Sequence, residues 1–358
     1  MFTRPAPPSE FDAFEARVRV LLAEFPSMPA SVLAERVGWA GSASWFRKQV
    51  ALLRSEYAPK DPADRLVHLP GDQAQCDLWF PPARIPLGAN LVGSPPVLVL
   101  VPAFSRFVTA RMLPTRTTPD LLAGMWSLLS GQLGAVPKRL LWDEAGIGRR
   151  GRLAEGVAGF CGTLATRLVQ CKPFDPESKG VVERMNGFLE TSFLPGRSFT
   201  SPADFNTQLG QWLLRANQRH VRTLRARPVD LVDQDRAAML ALPPVDPSVG
   251  HRTRVRLGRD YFVRVAGSDY SVDPTMIGRM VDAAADLETV TVTADGRPVA
   301  SHARSWVSAA TVIEPAHVES AARLRAAFQQ PATVEDPLRR DLADYDRAFG
   351  IDLDGQVA

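Results

Sequence analysis

Three amphipathic segments of helical period open the chain, over about residues 14–25, 29–37 and 46–57. A glycine-containing break at 38–41 separates the second from the third. The apolar stripe of the third segment leaves polar side chains on its other faces, namely Ser44, Arg47, Lys48 and Arg54. Helix, short turn and polar-faced helix is the pattern of a helix-turn-helix, whose last helix enters the DNA major groove. Any small three-helix bundle has the same pattern, so this segment alone leaves both interpretations open.

The middle of the chain alternates between short apolar runs and longer helical patterns. We expect strands over 73–80, 97–101, 107–113, 139–142 and 167–171, and helices over 120–133 and 179–193. Three strands followed by alternating helices and strands predict a mixed sheet with helices packed on it. The fold class expected from this order is α/β.

The C-terminal part changes period twice. Ser201-Pro202 begins a helix with a capping residue and a first-turn proline. From about Tyr261 the apolar positions alternate, and Asp295-Gly296 is a hairpin signal, so we expect a small β-barrel. A last helix is expected over 315–329, followed by an acidic end.

Composition excludes several classes of protein. Of the 358 residues 45% are hydrophobic, but no apolar run is long enough for a membrane span. The N-terminus lacks the apolar core of a signal peptide, so we expect a cytoplasmic protein. Three cysteines without a CxxC pair exclude a disulfide framework and a cysteine-built zinc site. Residues 1–306 carry 37 basic against 30 acidic residues, which weakly favours a polyanionic partner.

Three carboxylates stand out by their positions. Asp77 lies inside an otherwise apolar strand, Asp143 follows the end of the strand RLLW, and Glu183 lies on a helix predicted to pack on the sheet. A few carboxylates commonly hold Mg²⁺, and two such ions promote phosphoryl transfer. Each carboxylate taken singly is better explained by a cap, a surface charge or an ion pair than by catalysis. Lys179, Glu183, Asn186 and Glu190 share one face of the last helix.

Four sequence segments carry a family resemblance, namely PGDQAQCDLWFPP, LLWDEAGIG, CKPFDPESKGVVERMNGFLETSFLPGRSFTSPADFN and YFVRVAGSDYSVDP. They resemble the IstA-type transposases of bacterial insertion sequences (insertion-sequence family twenty-one), within the DDE transposase and retroviral integrase superfamily. The resemblance covers nearly the whole chain. It implies a ribonuclease-H-like core whose metal-binding catalytic triad is Asp77, Asp143 and Glu183, using two Mg²⁺ ions or Mn²⁺ in their place. The 39 residues between Asp143 and Glu183 are close to the usual integrase spacing.

Pattern and resemblance together predict six regions. They are a helix-turn-helix domain (1–60), a linker (61–71), the catalytic core (72–200), a helical extension with a basic linker (201–250), the barrel (251–306) and a helical acidic tail (307–358).

Basic residues are candidates for DNA contacts in addition to those on the third helix. They are Arg149 and Arg150 in the run GRRGR, Lys179 before the glutamate, and Arg219 and Arg222 in an arginine cluster. A solvated basic face explains the run and the cluster equally well. Two departures from the family concern DNA contacts near the site. Glu190 occupies a position that is basic in many relatives, and Glu144-Ala145 replaces Asn-Gly after the second aspartate.

The function that the resemblance implies is DNA transposition, by cleavage of element ends to 3′-hydroxyls and their transfer to target DNA. The alternatives are a catalytically inactive or domesticated DNA-binding regulator and, less favoured, an RNA–DNA hybrid nuclease. The expected partners are double-stranded DNA, further copies of the chain on DNA and a separate AAA+ ATPase, since no GxxxxGK[ST] occurs here. Nucleoid association follows from DNA binding.

Overall fold

The computed structural model describes residues 9–57, 66–142, 147–149, 152–171, 176–329 and 349, with the backbone alone at 149 and 176–179. The chain divides into two compact units, residues 1–66 and 67–358. Among the described helices, none combines the length and the apolar composition needed to cross a bilayer.

Unit 1 is a bundle of three helices, α1 (Asp12–Glu24), α2 (Ala30–Val37) and α3 (Ala43–Tyr57). Gly38 ends α2 in the left-handed conformation, with φ of 75°, which glycine adopts without strain. The predicted apolar stripes meet in one core, where Val18, Leu33 and Phe46 are almost completely buried. The three predicted helices are therefore present, with bounds shifted by at most a few residues.

The middle of the chain forms strands and helices in the expected alternation. They are β1 (Gln73–Trp79), β2 (Ile85–Gly88), β3 (Leu91–Gly93), β4 (Val97–Pro102), β5 (Thr109–Met112), α4 (Thr118–Ser127), β6 (Arg139–Trp142), β7 (Gly148–Arg149), β8 (Arg152–Leu153), α5 (Val157–Thr163), β9 (Arg167–Gln170), α6 (Pro176–Phe188), α7 (Pro202–Ala216) and α8 (Pro228–Ala238). Helices α4 and α6 each continue as a short π-helical segment, Leu128–Leu133 and Leu189–Phe193. The hairpins β2–β3 and β7–β8, and the helices α5 and α8, were not predicted.

A five-stranded mixed sheet is the centre of this region, in the order β5-β4-β1-β6-β9. Strand β1 runs antiparallel to β4 and parallel to β6. Strand β4 is buried along its whole length because its alternate residues face two cores. Leu98 and Leu100 face the core that includes α4, whereas Val99 and Val101 face the core that includes α6 and α7. The predicted α/β class is confirmed.

The free edge of β5 is covered by three side-chain amides. Asn217 accepts from the Val108 amide (2.8 Å) and donates to the Val108 carbonyl (2.9 Å). Gln132 pairs with Ala110 and Asn206 with Met112 in the same way. The three backbone positions are alternate residues, so every outward-facing pair of backbone groups over 108–112 has a partner. This arrangement prevents the edge from pairing with another chain.

We expect Asn217→Leu to lower the free energy of unfolding by about 1–3 kcal/mol, because it leaves the backbone groups of Val108 unpaired in a buried position. Urea denaturation followed by circular dichroism measures this loss. The matched control is Gln218→Leu, which changes an exposed neighbour and is expected to stay within about 0.5 kcal/mol. Equal stabilities of the two variants would contradict the role assigned to Asn217.

The C-terminal strands form two sheets instead of the expected closed barrel. The strands are β10 (His251–Arg256), β11 (Phe262–Val265), β12 (Ser268–Ser271), β13 (Met280–Ala285), β14 (Thr289–Ala294), β15 (Arg297–Ala303) and β16 (Thr311–Val312), and α9 (Pro315–Gln329) follows. Among the described residues the sheets are β10-β13-β14-β15 and β11-β12-β16, with no ladder joining them. Alternate side chains of both sheets, including Val263, Tyr270, Val281 and Val292, share one core. Each sheet buries one of its faces, and this accounts for the alternation of apolar and polar residues along the strands without a closed barrel.

Candidate functional site

Alternate residues of β1 contact helix α6 and fix its position on the sheet. The Gln75 carbonyl oxygen Oε1 accepts hydrogen bonds from the backbone amides of Val181 (3.0 Å) and Val182 (3.1 Å). Gln75 is itself buried, so these bonds form away from water. A buried side-chain oxygen that binds two consecutive backbone amides allows only one position of the helix relative to the strand. It sets which residues of α6 lie opposite the next positions of β1.

Asp77 is the next residue on this face of β1, and Asn186 holds it. Asn186 Nδ2 donates to Asp77 Oδ2 at 2.8 Å. Two residues further along β1, Trp79 Nε1 donates to Glu190 Oε1 at 3.1 Å. Residues 182, 186 and 190 are four apart, so they form one row along α6 and its continuation, and this row runs alongside β1. We name three contacts the β1–α6 ladder: Gln75 with the amides of Val181 and Val182, Asp77 with Asn186, and Trp79 with Glu190.

Glu183 lies on α6 beside the β1–α6 ladder. Residues three apart on a helix are neighbours on its surface, which places Glu183 one turn from Asn186, the residue that contacts Asp77. Glu183 is exposed, whereas Asp77 is partly buried. The structure thus brings the strand carboxylate and the helix that bears the predicted glutamate to one place.

The oxygen atoms at this place suit a hard divalent cation. Asp77 and Glu183 contribute carboxylates, and Asn186 Oδ1 is buried with no hydrogen-bond partner among the described residues. Mg²⁺ prefers oxygen ligands, usually a few carboxylates with water and phosphate. The described residues contain no cluster of three His, Cys, Asp or Glu side chains. Asp143, the third predicted ligand, lies outside the described residues.

Strand β6 is the element that directly precedes Asp143 in the sequence. Strand β6 lies beside β1, with Gln75 opposite Leu141, and its described part ends at Trp142.

The predicted DNA contacts of unit 1 divide into two groups. Ser44, Arg47 and Lys48 are exposed on α3. The Lys48 ammonium lies 6.0 Å from the ring centre of the half-exposed Trp45. Arg54 is partly buried and also has a contact within the bundle, since its guanidinium donates to the carbonyls of Pro26 and Met28 between α1 and α2. Arg54 therefore ties α3 to the preceding loop.

The structure describes the remaining basic candidates only in part. Arg150 and the side chains of Arg149 and Lys179 lie outside the described residues. Arg222 is exposed, whereas the Arg219 guanidinium lies 4.6 Å from the ring centre of Phe188. Arg219 lines a cavity together with Arg106 and Arg184, neither of which the sequence analysis singled out. Arg106 lies outside the motifs singled out in the sequence, whereas Arg184 lies within one of the segments that carry the resemblance, directly after Glu183.

Comparisons with known proteins find similarity to transposases. Residues 242–314 match the family model of the Mu transposase C-terminal domain. A Mycobacterium tuberculosis protein named as a transposase is 26% identical over 274 residues, covering 73% of this chain and 64% of that protein. The transposase of the insertion sequence element IS21 from Pseudomonas aeruginosa is 28% identical over 150 residues, covering 41% of this chain and 38% of that protein.

The catalytic core domain of bovine immunodeficiency virus (BIV) integrase covers 46% of this chain and 95% of its own, with 17% identity and a TM-score of 0.35. The sequence relatives define the class: the chain is similar to transposases of insertion sequences. The resemblance to the IS21 group, which the motifs indicated, is confirmed. The chain spans less than two thirds of the length of these relatives.

Proposed function

We propose that this protein is a DNA transposase that cleaves the ends of its element to expose 3′-hydroxyls and joins them to target DNA. The observation that carries the proposal is the β1–α6 ladder, in which the Asn186–Asp77 hydrogen bond brings the helix of Glu183 to the carboxylate of β1. Transposase relatives support the DNA substrate. The mixed five-stranded sheet supports a ribonuclease-H-like core.

In this proposal Asp77, Asp143 and Glu183 hold two Mg²⁺ ions, for which Mn²⁺ can substitute. Bound divalent metal would supply activation of the attacking oxygen and stabilisation of the leaving oxygen in phosphoryl transfer. The chain's own contribution is positioning. Asn186 orients the Asp77 carboxylate, and Gln75 fixes the position of α6, the helix that carries Glu183, through two of its backbone amides.

Unit 1 serves as the helix-turn-helix that binds the element ends in this proposal. The separate compactness of unit 1 supports it, as do the exposed Arg47 and Lys48 on its third helix. Because two ends must be joined together, we propose that at least two copies act on DNA. A separate AAA+ ATPase would supply any ATP-dependent step.

A strand-transfer assay with Mg²⁺, labelled end-containing DNA and a target plasmid tests the proposed function. Joined products that require the divalent ion are expected. End binding without cleavage or joining would instead establish a DNA-binding regulator. Cleavage confined to RNA–DNA hybrids would establish a hybrid nuclease.

Replacement of Arg47 by Gln tests the DNA contact of unit 1. If Arg47 contacts a guanine edge, the change is expected to cost about 1–3 kcal/mol of discrimination between end DNA and a mutated end. Competition binding with the two DNAs measures this difference. Equal weakening on both DNAs would make Arg47 a phosphate contact, and unchanged binding would contradict any contact.

A further inference from the structure

A cavity of about 350 Å³ lies between the β4–β5 turn, helix α6 and the segment that follows α7. Its polar lining consists of Arg106, Arg184, Arg219, His220 and Thr223, and no described acidic residue lines it. Met185 and Phe188 belong to its apolar lining. We name it the arginine cavity.

The β4–β5 turn holds Arg106 in a defined position. Its backbone has φ of 59°, the left-handed region, which is unfavourable for a residue with a side chain. Contacts on the preceding residue stabilise this turn, since the Ser105 amide donates to Asp235 Oδ2 of α8 at 2.9 Å. The other oxygen of the buried Asp235 accepts from the Gly71 amide at 2.7 Å. Strained backbone that its surroundings enforce is typical of functional positions.

The positive charges of the arginine cavity are not compensated within the described residues. Burial, together with the nearby charge of Arg184, lowers the pKa of Arg106 to about 10. None of the ion pairs between described residues includes Arg106, Arg184 or Arg219. The ring of Phe188 holds the Arg219 guanidinium at the cavity by a cation–π contact. Guanidinium groups gathered in this way favour an anion, above all a phosphate.

We infer that the arginine cavity binds one backbone phosphate of a DNA strand, through Arg106, Arg184 and Arg219. The inference rests on the proposed function for the identity of the strand. Arg184 directly follows Glu183 on α6, so a phosphate bound in the cavity lies along the flank of the helix that carries the glutamate. The apolar lining at Met185 and Phe188 accommodates the sugar or base that adjoins the phosphate.

Salt dependence of DNA binding by the full chain tests the inference. Fluorescence anisotropy with labelled end DNA gives the slope of log affinity against log salt concentration, which falls by about 0.9 for each lost phosphate contact. Arg106→Gln, Arg184→Gln and Arg219→Gln are each expected to reduce the slope measurably, by up to about 0.9. The double variant Arg106→Gln/Arg219→Gln is expected to lose no more than one contact in total, since both arginines bind the same phosphate.

Arg215→Gln is the matched control, because Arg215 is an exposed residue near the end of α7, four positions before Arg219 in the chain, and does not line the cavity. It is expected to leave the slope unchanged. Cavity variants that behave like Arg215→Gln would overturn the inference. A double variant that loses two contacts would also overturn it, since the arginines would then bind separate phosphates.

Two competitors distinguish the possible anions. Inorganic phosphate is expected to compete for the cavity only weakly, with the same dependence on Arg106. A polyglutamate peptide is the second competitor. If it displaced labelled end DNA as effectively as single-stranded DNA does, the inference would be overturned in favour of an acidic protein partner. If the cavity variants reduced the slope but the wild type joined no DNA, only the proposed function would be contradicted. If the wild type joined DNA normally but the cavity variants left the slope unchanged, only the inference about the cavity would be contradicted.

Discussion

Replacement of Glu183 by Gln is expected to abolish cleavage and joining together, with a loss of at least about a thousandfold. Gln keeps the size of the side chain but removes the negative charge that would hold the divalent ion. Metal ions contribute several kcal/mol to transition-state stabilisation, and each 1.4 kcal/mol corresponds to about tenfold in rate. Both reactions are phosphoryl transfers at one site, so both are lost. Strand-transfer and end-cleavage assays measure the two losses separately.

Glu190→Gln is the matched control, two turns further along the same helix. Glu190 Oε1 accepts from Trp79 Nε1, and a Gln carbonyl oxygen accepts the same hydrogen bond. Catalysis is therefore expected to survive this change largely intact. Binding of end DNA is expected to survive both changes, because unit 1 is a separate compact unit. If Glu183→Gln retained activity and Glu190→Gln lost it, the catalytic glutamate would be the other residue.

Asp120→Ala is expected to lower the free energy of unfolding by about 3–5 kcal/mol, the typical cost of breaking a buried ion pair from one side. Asp120 lies in the first turn of α4 with no exposed surface. It accepts hydrogen bonds from Arg304 (2.6 and 2.8 Å), His251 (3.1 Å) and Thr115 (2.5 Å). Its loss would leave the buried Arg304 charge without its carboxylate, between the central sheet region and the C-terminal strands. Chemical denaturation measures the difference.

Glu288→Ala provides the control, because the Arg111–Glu288 pair joins the same two regions at an exposed position. An exposed ion pair contributes about 0–1 kcal/mol, so little loss is expected. The double variant Asp120→Leu/Arg304→Met removes both charges and is expected to recover part of the loss. A loss for Asp120→Ala no larger than that for Glu288→Ala would contradict the buried-pair account.

The contribution of Asp120 also has a pH dependence with a definite sign. Burial raises the pKa of Asp120, but the hydrogen bonds from His251, Arg304 and Thr115 outweigh it, so the pKa lies below the ordinary value of 3.8. Its stabilisation is therefore fully present above pH 3.8 and is lost as the pH falls through the lower folded-state value. The stability difference between the wild type and Asp120→Ala should be constant near neutral pH and shrink below pH 3.8. A constant difference in that acidic range would contradict the assignment.

Local periodicity was sufficient to predict most of the elements that build the site. The strand at 139–142 has the predicted bounds, and the strand of Asp77 ends one residue earlier than predicted. The pattern also placed Asn186 and Glu190 on the face of Glu183, where they contact Asp77 and Trp79. These elements were predictable because each has a strong apolar face.

The remaining features depend on residues that are far apart in the chain. Asp120 pairs with Arg304 across 184 positions, and Asn217 covers a strand edge 109 positions away. Helix α8 buries few apolar residues, and its buried Asp235 accepts hydrogen bonds from the amides of Gly71, just before β1, and Ser105 in the β4–β5 turn. The arginine cavity was not predicted for the same reason, because Arg106, Arg184 and Arg219 are far apart in the chain. A single sequence contains no signal for such pairs.

The most direct test of the central claim is a crystal structure of the full chain grown with Mn²⁺, with anomalous scattering recorded at the manganese absorption edge. The account predicts manganese bound by the carboxylates of Asp77, Asp143 and Glu183, and loss of that anomalous signal in Glu183→Gln. Manganese absent from these carboxylates at saturating concentration, in a protein that still joins DNA ends, would contradict it.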